Sequence, residues 1–177
     1  MIENNFGLSD DASLILPRGR KGQPPFTLDM TYILMAEKRI PEMQRSNPMT
    51  FPDLATVYNI GICNLTRLIS IVQVECKESR RELDEARAIF RLDLAEEILA
   101  KKKIKSSVDA RDDASKLDPT VKECQSKYDF LSTIDEYLQN KRSDLERVYY
   151  GAKNLADLHI KTPDSGNYAG GNGQKNG

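Results

Sequence analysis

The fold is decided by residues 118–152, which read DPTVKECQSKYDFLSTIDEYLQNKRSDLERVYYGA. Alternating steps of three and four residues from Val121 reach ten positions, of which eight are apolar or aromatic. A period of about 3.5 residues is typical of a coiled-coil seam. Because Asp118 is a favoured N-cap and Pro119 suits the first helical position, we predict a long helix over residues 119–158. The seam positions are Val121, Cys124, Tyr128, Leu131, Asp135, Leu138, Arg142, Leu145, Tyr149 and Ala152.

Two seam positions, Asp135 and Arg142, are charged. They can pair across an oligomer interface or set its register. Alternatively, Ile134 and Lys141 rotate the seam locally, and we favour this interpretation. Both interpretations are compatible with dimers and with larger rings.

A second long helix is predicted over residues 54–103. Thr50 suits its N-cap, and Asp53 places an acidic side chain in the first turn. At about 1.5 Å per residue, a helix of this length extends about 75 Å. Its apolar residues recur at helical spacing and lapse only around residues 77–82. They are Leu54, Tyr58, Gly61, Leu65, Leu68, Ile69, Val72, Cys76, Leu83, Ala86, Phe90, Leu94 and Leu99.

We therefore predict an all-α protein whose two long antiparallel helices form a coiled-coil-like hairpin. Residues 1–26 are predicted to be an extended N-terminal arm, in which residues 14–16 could add a short strand or an anchor. Residues 27–160 form the hairpin domain, with a short helix over residues 27–39 that stops near Pro41 and a polar connection over residues 104–117. Residues 161–177 are a Gly/Asn-rich tail that we expect to be disordered. No pattern predicts a sheet.

Composition limits the function classes. The formal net charge is -1, so anion binding has to come from local patches. Three cysteines without paired spacing argue against a disulfide framework or a zinc site. The first residues lack the basic start and apolar run of a signal peptide, and this predicts a soluble, cytoplasmic protein.

The sequence offers little for catalysis. His159 is the only histidine, which removes nearly all histidine-based acid–base and metal constellations. Most carboxylates alternate with arginines on helical faces, a pattern typical of solvated ion-pair networks. We predict a protein that is not an enzyme and that has no metal and no cofactor.

The one run of basic residues is Lys101-Lys102-Lys103-Ile104-Lys105, and we call its four lysines the lysine cluster. Arg87 and Arg91 precede it on the same predicted helix. Such a patch can bind the phosphates of single-stranded nucleic acid with salt-sensitive affinity. The alternative is that the lysines only complement the dipole at a helix C-terminus. Tyr137 and Tyr150 are the aromatic side chains that we expect to be exposed, where each can stack on a base.

The region of residues 58–158 resembles the UvsY-like family of phage recombination mediators. The resemblance is carried by Ala110-Arg-Asp-Asp113-Ala-Ser-Lys116-Leu-Asp118, followed by Val121 and by Asp129-Phe130-Leu-Ser132, which is similar to the family's entry into its last long helix. Arg91-Leu92-Asp93 is similar to a step in the family's basic, DNA-contacting region. Where the family has a lysine shortly before that arginine, this chain has Ile89.

The resemblance implies a helical, ring-forming protein in the cytoplasm of a phage-infected host. Such a protein binds single-stranded DNA and helps to load a RecA-like recombinase in the presence of a single-strand-binding protein. We predict this function for a homo-oligomer that contacts DNA through Arg87, Arg91, Lys101, Lys102, Lys103 and Lys105. The rival prediction is a structural or scaffold protein, such as a phage virion or assembly component, whose arm and tail contact neighbouring subunits.

Overall fold

The computed structural model describes residues 12–105 and 107–161, except for the side chains of residues 160 and 161. Of these residues 77% are helical and 5% lie in strands, so the prediction of a mostly helical chain is confirmed. Residues 1–11 of the predicted arm and residues 162–177 of the predicted tail lie outside the described residues. The elements in chain order are β1 (Ser13–Leu16), β2 (Phe26–Asp29), α1 (Thr31–Lys38), α2 (Ile40–Gln44), α3 (Phe51–Ile89), a π-helical turn (Phe90–Leu94), α4 (Ala95–Lys101), α5 (Val108–Ser115) and α6 (Pro119–Lys161).

A two-stranded antiparallel sheet lies where we predicted an arm and the start of a helix. Strands β1 and β2 pair in register from Ser13 opposite Asp29 to Leu16 opposite Phe26. The short strand at residues 14–16 is confirmed, whereas the prediction of no sheet is wrong. The helix predicted from residue 27 begins only at Thr31. Leu14, Leu16 and Leu28 face the core while Ile15 and Thr27 face outward, so burial alternates as expected for strands. The alternation was not recognised in the sequence because the strands are short and are surrounded by Gly and Pro residues.

The turn between the strands is fastened to α3 by a buried carboxylate. Arg18 Nη1 donates to Glu75 Oε1 at 2.6 Å, and the Gly19 N–H donates to Glu75 Oε2 at 2.7 Å. Glu75 is only 7% exposed, and Ser79 one turn later is fully buried. The apolar pattern therefore lapses around residues 77–82 because the strand turn covers polar groups there, and α3 continues without a break.

Helix α1 packs on α3, and α2 packs mainly on α6. A Cβ placed on Gly61 would lie 2.9 Å from the Cβ of Ala36, so glycine allows α1 to approach α3 closely. The stop near Pro41 is only partly correct, because α1 ends at Lys38 and α2 resumes at Ile40 with proline in its first turn. The expected capping bond of Thr50 is absent from the described chain, since its hydroxyl accepts from the Asn47 N–H instead.

The helix predicted over residues 54–103 begins at Phe51 and reaches Lys101, but it is interrupted by the π turn. Phe90 and Ala95, five residues apart, are both buried. The wider π turn brings such positions to one side of the helix, where a regular α-helix would separate them. Leu92, inside the turn, is 82% exposed. No Pro or Gly marks this site in the sequence, so the interruption was missed.

Helices α3 and α6 contribute to the same main core. Val121 N–H donates to Asp118 Oδ1 at 3.0 Å, which confirms the predicted cap of α6. Ile134 is fully buried, in agreement with the local rotation of the seam that we favoured. A smaller core near the π turn is formed by Leu83, Phe90, Ala95, Val121 and Cys124. Main-core residues of the two long helices include Leu54, Tyr58, Leu65, Leu68, Ile69 and Val72 of α3 and Leu131, Ile134, Leu138, Leu145 and Ala152 of α6.

The helical span Phe51–Lys101 is also long and apolar enough, by composition alone, to cross a membrane. Its most apolar window has a mean hydropathy of 1.3, and 39% of that window is buried within the structure. A core helix of a soluble protein passes the same test, so this property is weak support for membrane association.

Candidate nucleic-acid interface

The lysine cluster begins in the last turn of α4 and continues into the loop before α5. The Lys103 N–H donates to the Ala100 carbonyl at 3.1 Å, and the Ile104 N–H donates to the Leu99 carbonyl at 3.0 Å. These two bonds form a Schellman motif, which usually has glycine at the left-handed position. Here Lys103 occupies that position with φ +56°. The chain thus turns sharply within the cluster.

The four lysines are all exposed, but they differ in their partners. Lys101 Nζ lies 2.6 Å from Glu97 Oε1, one turn earlier on α4. This hydrogen bond and the lysine charge lower the pKa of the Glu97 carboxyl below its ordinary value. Within residues 12–105 and 107–161, Lys102, Lys103 and Lys105 form no ion pair. Three ammonium groups are therefore available to an external anion.

Arg87 is not part of this exposed group. Its Nη2 donates to Gln125 Oε1 of α6 at 2.8 Å, and its Nη1 lies 3.9 Å from Asp84 Oδ1. The side chain is 28% exposed and bridges α3 to α6. Of the six predicted DNA-contacting residues, Arg87 is therefore the one most fully engaged in contacts within the protein.

Arg91 also has an internal partner. It lies in the π turn, where its Nη2 is 2.6 Å from Oδ1 of Asp112 in α5. The structure thus divides the six predicted residues into two groups. Lys102, Lys103 and Lys105 face solvent unpaired within the described chain, whereas Arg87, Arg91 and Lys101 already contact polar or acidic side chains.

Arg111 is a basic residue of this region that our predicted site omitted. Its Nη2 donates to Glu96 Oε1 of α4 at 2.8 Å, fifteen positions away in the sequence. Nearby, Lys116 Nζ lies 2.7 Å from Asp113 Oδ1, and this hydrogen bond raises the pKa of Lys116 above its ordinary value. We predicted Arg111 to lie in the polar connection over residues 104–117 and not in the basic patch. Only the packing of α5 on α4 shows its partner.

Residues 90–118 have equal numbers of acidic and basic side chains, but these are unevenly distributed along the segment. In α4, the π turn and α5, basic side chains pair with carboxylates, whereas the loop has only lysines. Positive potential is therefore concentrated at the loop between α4 and α5.

The two predicted stacking aromatics do not join this patch. Tyr150 is 56% exposed, as predicted, but it lies about 46 Å along α6 from the start of that helix. Tyr137 is half-buried, contrary to our prediction, because it packs on the main core and Lys141 Nζ lies 5.4 Å from its ring centroid.

The described side chains include no group of three His, Cys, Asp or Glu residues arranged for a metal ion. Cys63, Cys76 and Cys124 are free thiols on helices. Burial raises the pKa of Cys76 to about 11, with smaller contributions from Asp135 and Glu75. Its thiol therefore stays protonated at neutral pH.

No family model, no curated protein and no solved structure matches this chain. A functional proposal therefore rests on the lysine cluster and the nearby paired arginines.

Proposed function

We propose that this chain is a non-enzymatic, single-stranded DNA-binding recombination mediator. The observation that carries the proposal is the loop in which Lys102, Lys103 and Lys105 project without internal ion pairs in the described part of the chain. Ammonium groups bind phosphates largely by releasing counterions, and this needs no base-specific geometry. The primary ligand is therefore the sugar–phosphate backbone of a single strand.

The conformation of Lys103 supports a role beyond ending a helix. A residue with a side chain costs about 1–2 kcal/mol in the left-handed region, whereas glycine adopts it freely. Lys101 and Lys102 already complement the helix dipole and have ordinary helical conformations. A third lysine in a left-handed conformation is not needed for that purpose. The strained position instead directs an additional positive charge into the loop.

The proposed scaffold is an antiparallel hairpin of α3 and α6 that presents this loop at one end. The contacts between the helices support it. A Cβ on Gly61, early in α3, would lie 3.7 Å from Leu145, late in α6. Glu82, late in α3, pairs with Lys127, early in α6. We propose that several such hairpins form a homo-oligomer, so that one strand contacts several loops and binds by effective concentration.

The partners follow from the resemblance to recombination mediators. We propose that the oligomer presents its strand to a RecA-like recombinase and acts alongside a single-strand-binding protein in the cytoplasm of the infected host. Neither step makes or breaks a covalent bond.

The test is a fluorescence anisotropy titration of labelled oligo-dT at 50 and 200 mM salt. Three phosphate contacts per chain give a slope of log affinity against log salt of about −2, since each contact on a single strand contributes about 0.7. That slope lowers the affinity about 20-fold over this range. Changing Lys101, Lys102, Lys103 and Lys105 together to Glu is expected to abolish binding.

The matched control changes four exposed lysines on other helices to Glu: Lys38, Lys77, Lys122 and Lys153. It alters the net charge by the same amount and is expected to retain most of the binding. If the wild type does not bind oligo-dT at 50 mM salt, the DNA-binding proposal is wrong and the structural or scaffold protein becomes the better hypothesis. Equal loss in both variants would mean that net charge, and not the loop, attracts DNA.

A further inference from the structure

Two ion pairs tie α5 to the part of the chain before the lysine cluster. Nη2 of Arg91, in the π turn, lies 2.6 Å from Oδ1 of Asp112. Nη2 of Arg111 lies 2.8 Å from Oε1 of Glu96, in α4. The neighbours Arg111 and Asp112 thus contribute opposite charges to two separate contacts. Each contact pairs an arginine with a carboxylate.

Both pairs are exposed enough to exchange partners. The side chains of Arg91 and Asp112 are 46% and 39% exposed, and those of Arg111 and Glu96 are 36% and 75% exposed. Exposed pairs of this kind contribute only about 0–1 kcal/mol to stability. Oδ1 of Asp112 is itself buried, and Arg91 is not aligned to donate a hydrogen bond to it. Arg111 can therefore leave Glu96 at small cost, and Arg91 gives up an electrostatic contact but no hydrogen bond when it leaves Asp112.

A phosphodiester is a suitable replacement for these carboxylates. It offers two anionic oxygens to the planar guanidinium, which binds phosphate and carboxylate with the same fork of N–H groups. A carboxylate on the protein and a phosphate on the strand therefore compete for the same donors. The outcome depends on the local concentration of phosphate.

The lysine cluster raises that local concentration. Glu96 lies near the start of α4, about 9 Å along the helix from Lys102. Arg111 lies one turn into α5, on the other side of the same loop. A strand held at the loop consequently carries its next phosphates towards both arginines.

Resting on the proposed function, we infer that Glu96 and Asp112 occupy Arg111 and Arg91 in the free protein and release them to phosphates of a bound single strand. The two carboxylates act as an internal competitor of the ligand. Arg111 is then a strand-contacting residue in addition to the predicted ones, and Arg91 contacts the strand only after it leaves Asp112.

The test is the oligo-dT titration with Glu96→Gln and Asp112→Asn combined in the full chain. Each substitution removes a competing charge and leaves a side chain of nearly the same size. The affinity at low salt is expected to rise severalfold because neither arginine has to leave a carboxylate, whereas the salt slope is expected to stay near the value of about −3.5 that five phosphate contacts give in the wild type. Arg91→Gln and Arg111→Gln, added to this variant, are expected to cancel the gain.

The matched control is Asp144→Asn combined with Glu146→Gln. These carboxylates pair with Arg147 and Arg142 on α6, so the control also releases two arginines and changes the net charge equally. If the Glu96/Asp112 variant binds no more tightly than this control, the inference is overturned, while wild-type binding still supports the proposed function. If neither the wild type nor the variant binds, both fail.

Folding is checked separately by thermal melting of each variant. Glu96→Gln alone keeps the test decisive if the double variant unfolds, because Glu96 is the most exposed of the four paired side chains. The single variant is expected to give a smaller gain in affinity than the double variant. An unchanged affinity in a folded single variant overturns the inference.

Discussion

Replacing Gly19 by Ala is expected to destabilise the protein strongly, because the strand turn lies directly on α3. A Cβ at this position would lie 2.2 Å from the Glu75 carbonyl oxygen and 2.9 Å from the Ser79 nitrogen. Both are backbone atoms of a helix, so neither can move aside as the end of a flexible side chain would. The turn itself has to withdraw.

The cost follows from what the turn loses when it withdraws. The Gly19 N–H and the Arg18 guanidinium both donate to the buried Glu75 carboxylate. Hydrogen bonds to charged groups contribute about 1.5–3 kcal/mol each. Losing both, with partial relief from water that enters, gives an expected loss of about 3 kcal/mol. For a chain of this size that corresponds to a fall in melting temperature of about 6–12 °C.

The assay is urea denaturation followed by circular dichroism, with Gly151→Ala as the matched control. Gly151 lies in α6, and a Cβ there meets nothing within 4 Å of its position. That substitution is expected to stabilise the chain by up to about 1 kcal/mol through helix propensity. If Gly19→Ala unfolds at the same urea concentration as the wild type, the reasoning about the fastened turn is wrong. If it is destabilised but Glu75→Gln is not, the clash alone accounts for the loss.

Two further substitutions test other strained or unsatisfied groups. The Tyr58 hydroxyl has no hydrogen-bond partner among the described residues, so Tyr58→Phe is expected to leave the free energy of unfolding unchanged or to raise it by up to about 1 kcal/mol. Burial, with help from Glu37 and Glu42, raises the pKa of Tyr58 to about 12, whereas the unfolded chain loses this proton near pH 10. The wild type should therefore lose stability from pH 10 to 12 relative to Tyr58→Phe in urea titrations. Lys103→Gly is expected to raise the stability by about 1 kcal/mol, because it relieves the positive φ, and to lower oligo-dT affinity in the same preparation. A Lys103→Gly variant that melts no higher than the wild type would argue against strain in this turn.

The long helices were predictable from sequence because their signals are local and repeated. The Asp118-Pro119 start of α6 and the burial of Leu131, Leu138 and Leu145 follow from capping and period alone. The strands were mostly missed because each has only four residues, too short for alternation to stand out. Their stability depends on contacts with α3 that are more than fifty positions away in the sequence.

The sequence predicted which basic residues the candidate site contains, but not their partners or their backbone conformation. The run of lysines is visible in the sequence, and its exposure agrees with its polarity. The pairing of Arg91 with Asp112 and of Arg111 with Glu96 depends on how α5 folds back on α4, which no periodic pattern encodes. The left-handed conformation of Lys103 was hidden for another reason, since glycine is the usual signal for a Schellman turn.

The charges at this loop also connect oligomerisation with function. Three available lysines give one chain a salt slope of about −2, which makes a single copy a weak ligand for DNA at physiological ionic strength. Recruiting Arg91 and Arg111 brings the contacts to five per chain and the slope to about −3.5. In a homo-oligomer, the total salt slope is the slope per chain multiplied by the number of chains that one strand contacts. Only the arginines' change of partner from carboxylate to phosphate alters the slope per chain. Slope divided by the number of bound chains, with that number measured by light scattering of the complex, therefore separates the two effects. A value near −2 indicates lysines alone, and a value near −3.5 indicates that the arginines have changed partners.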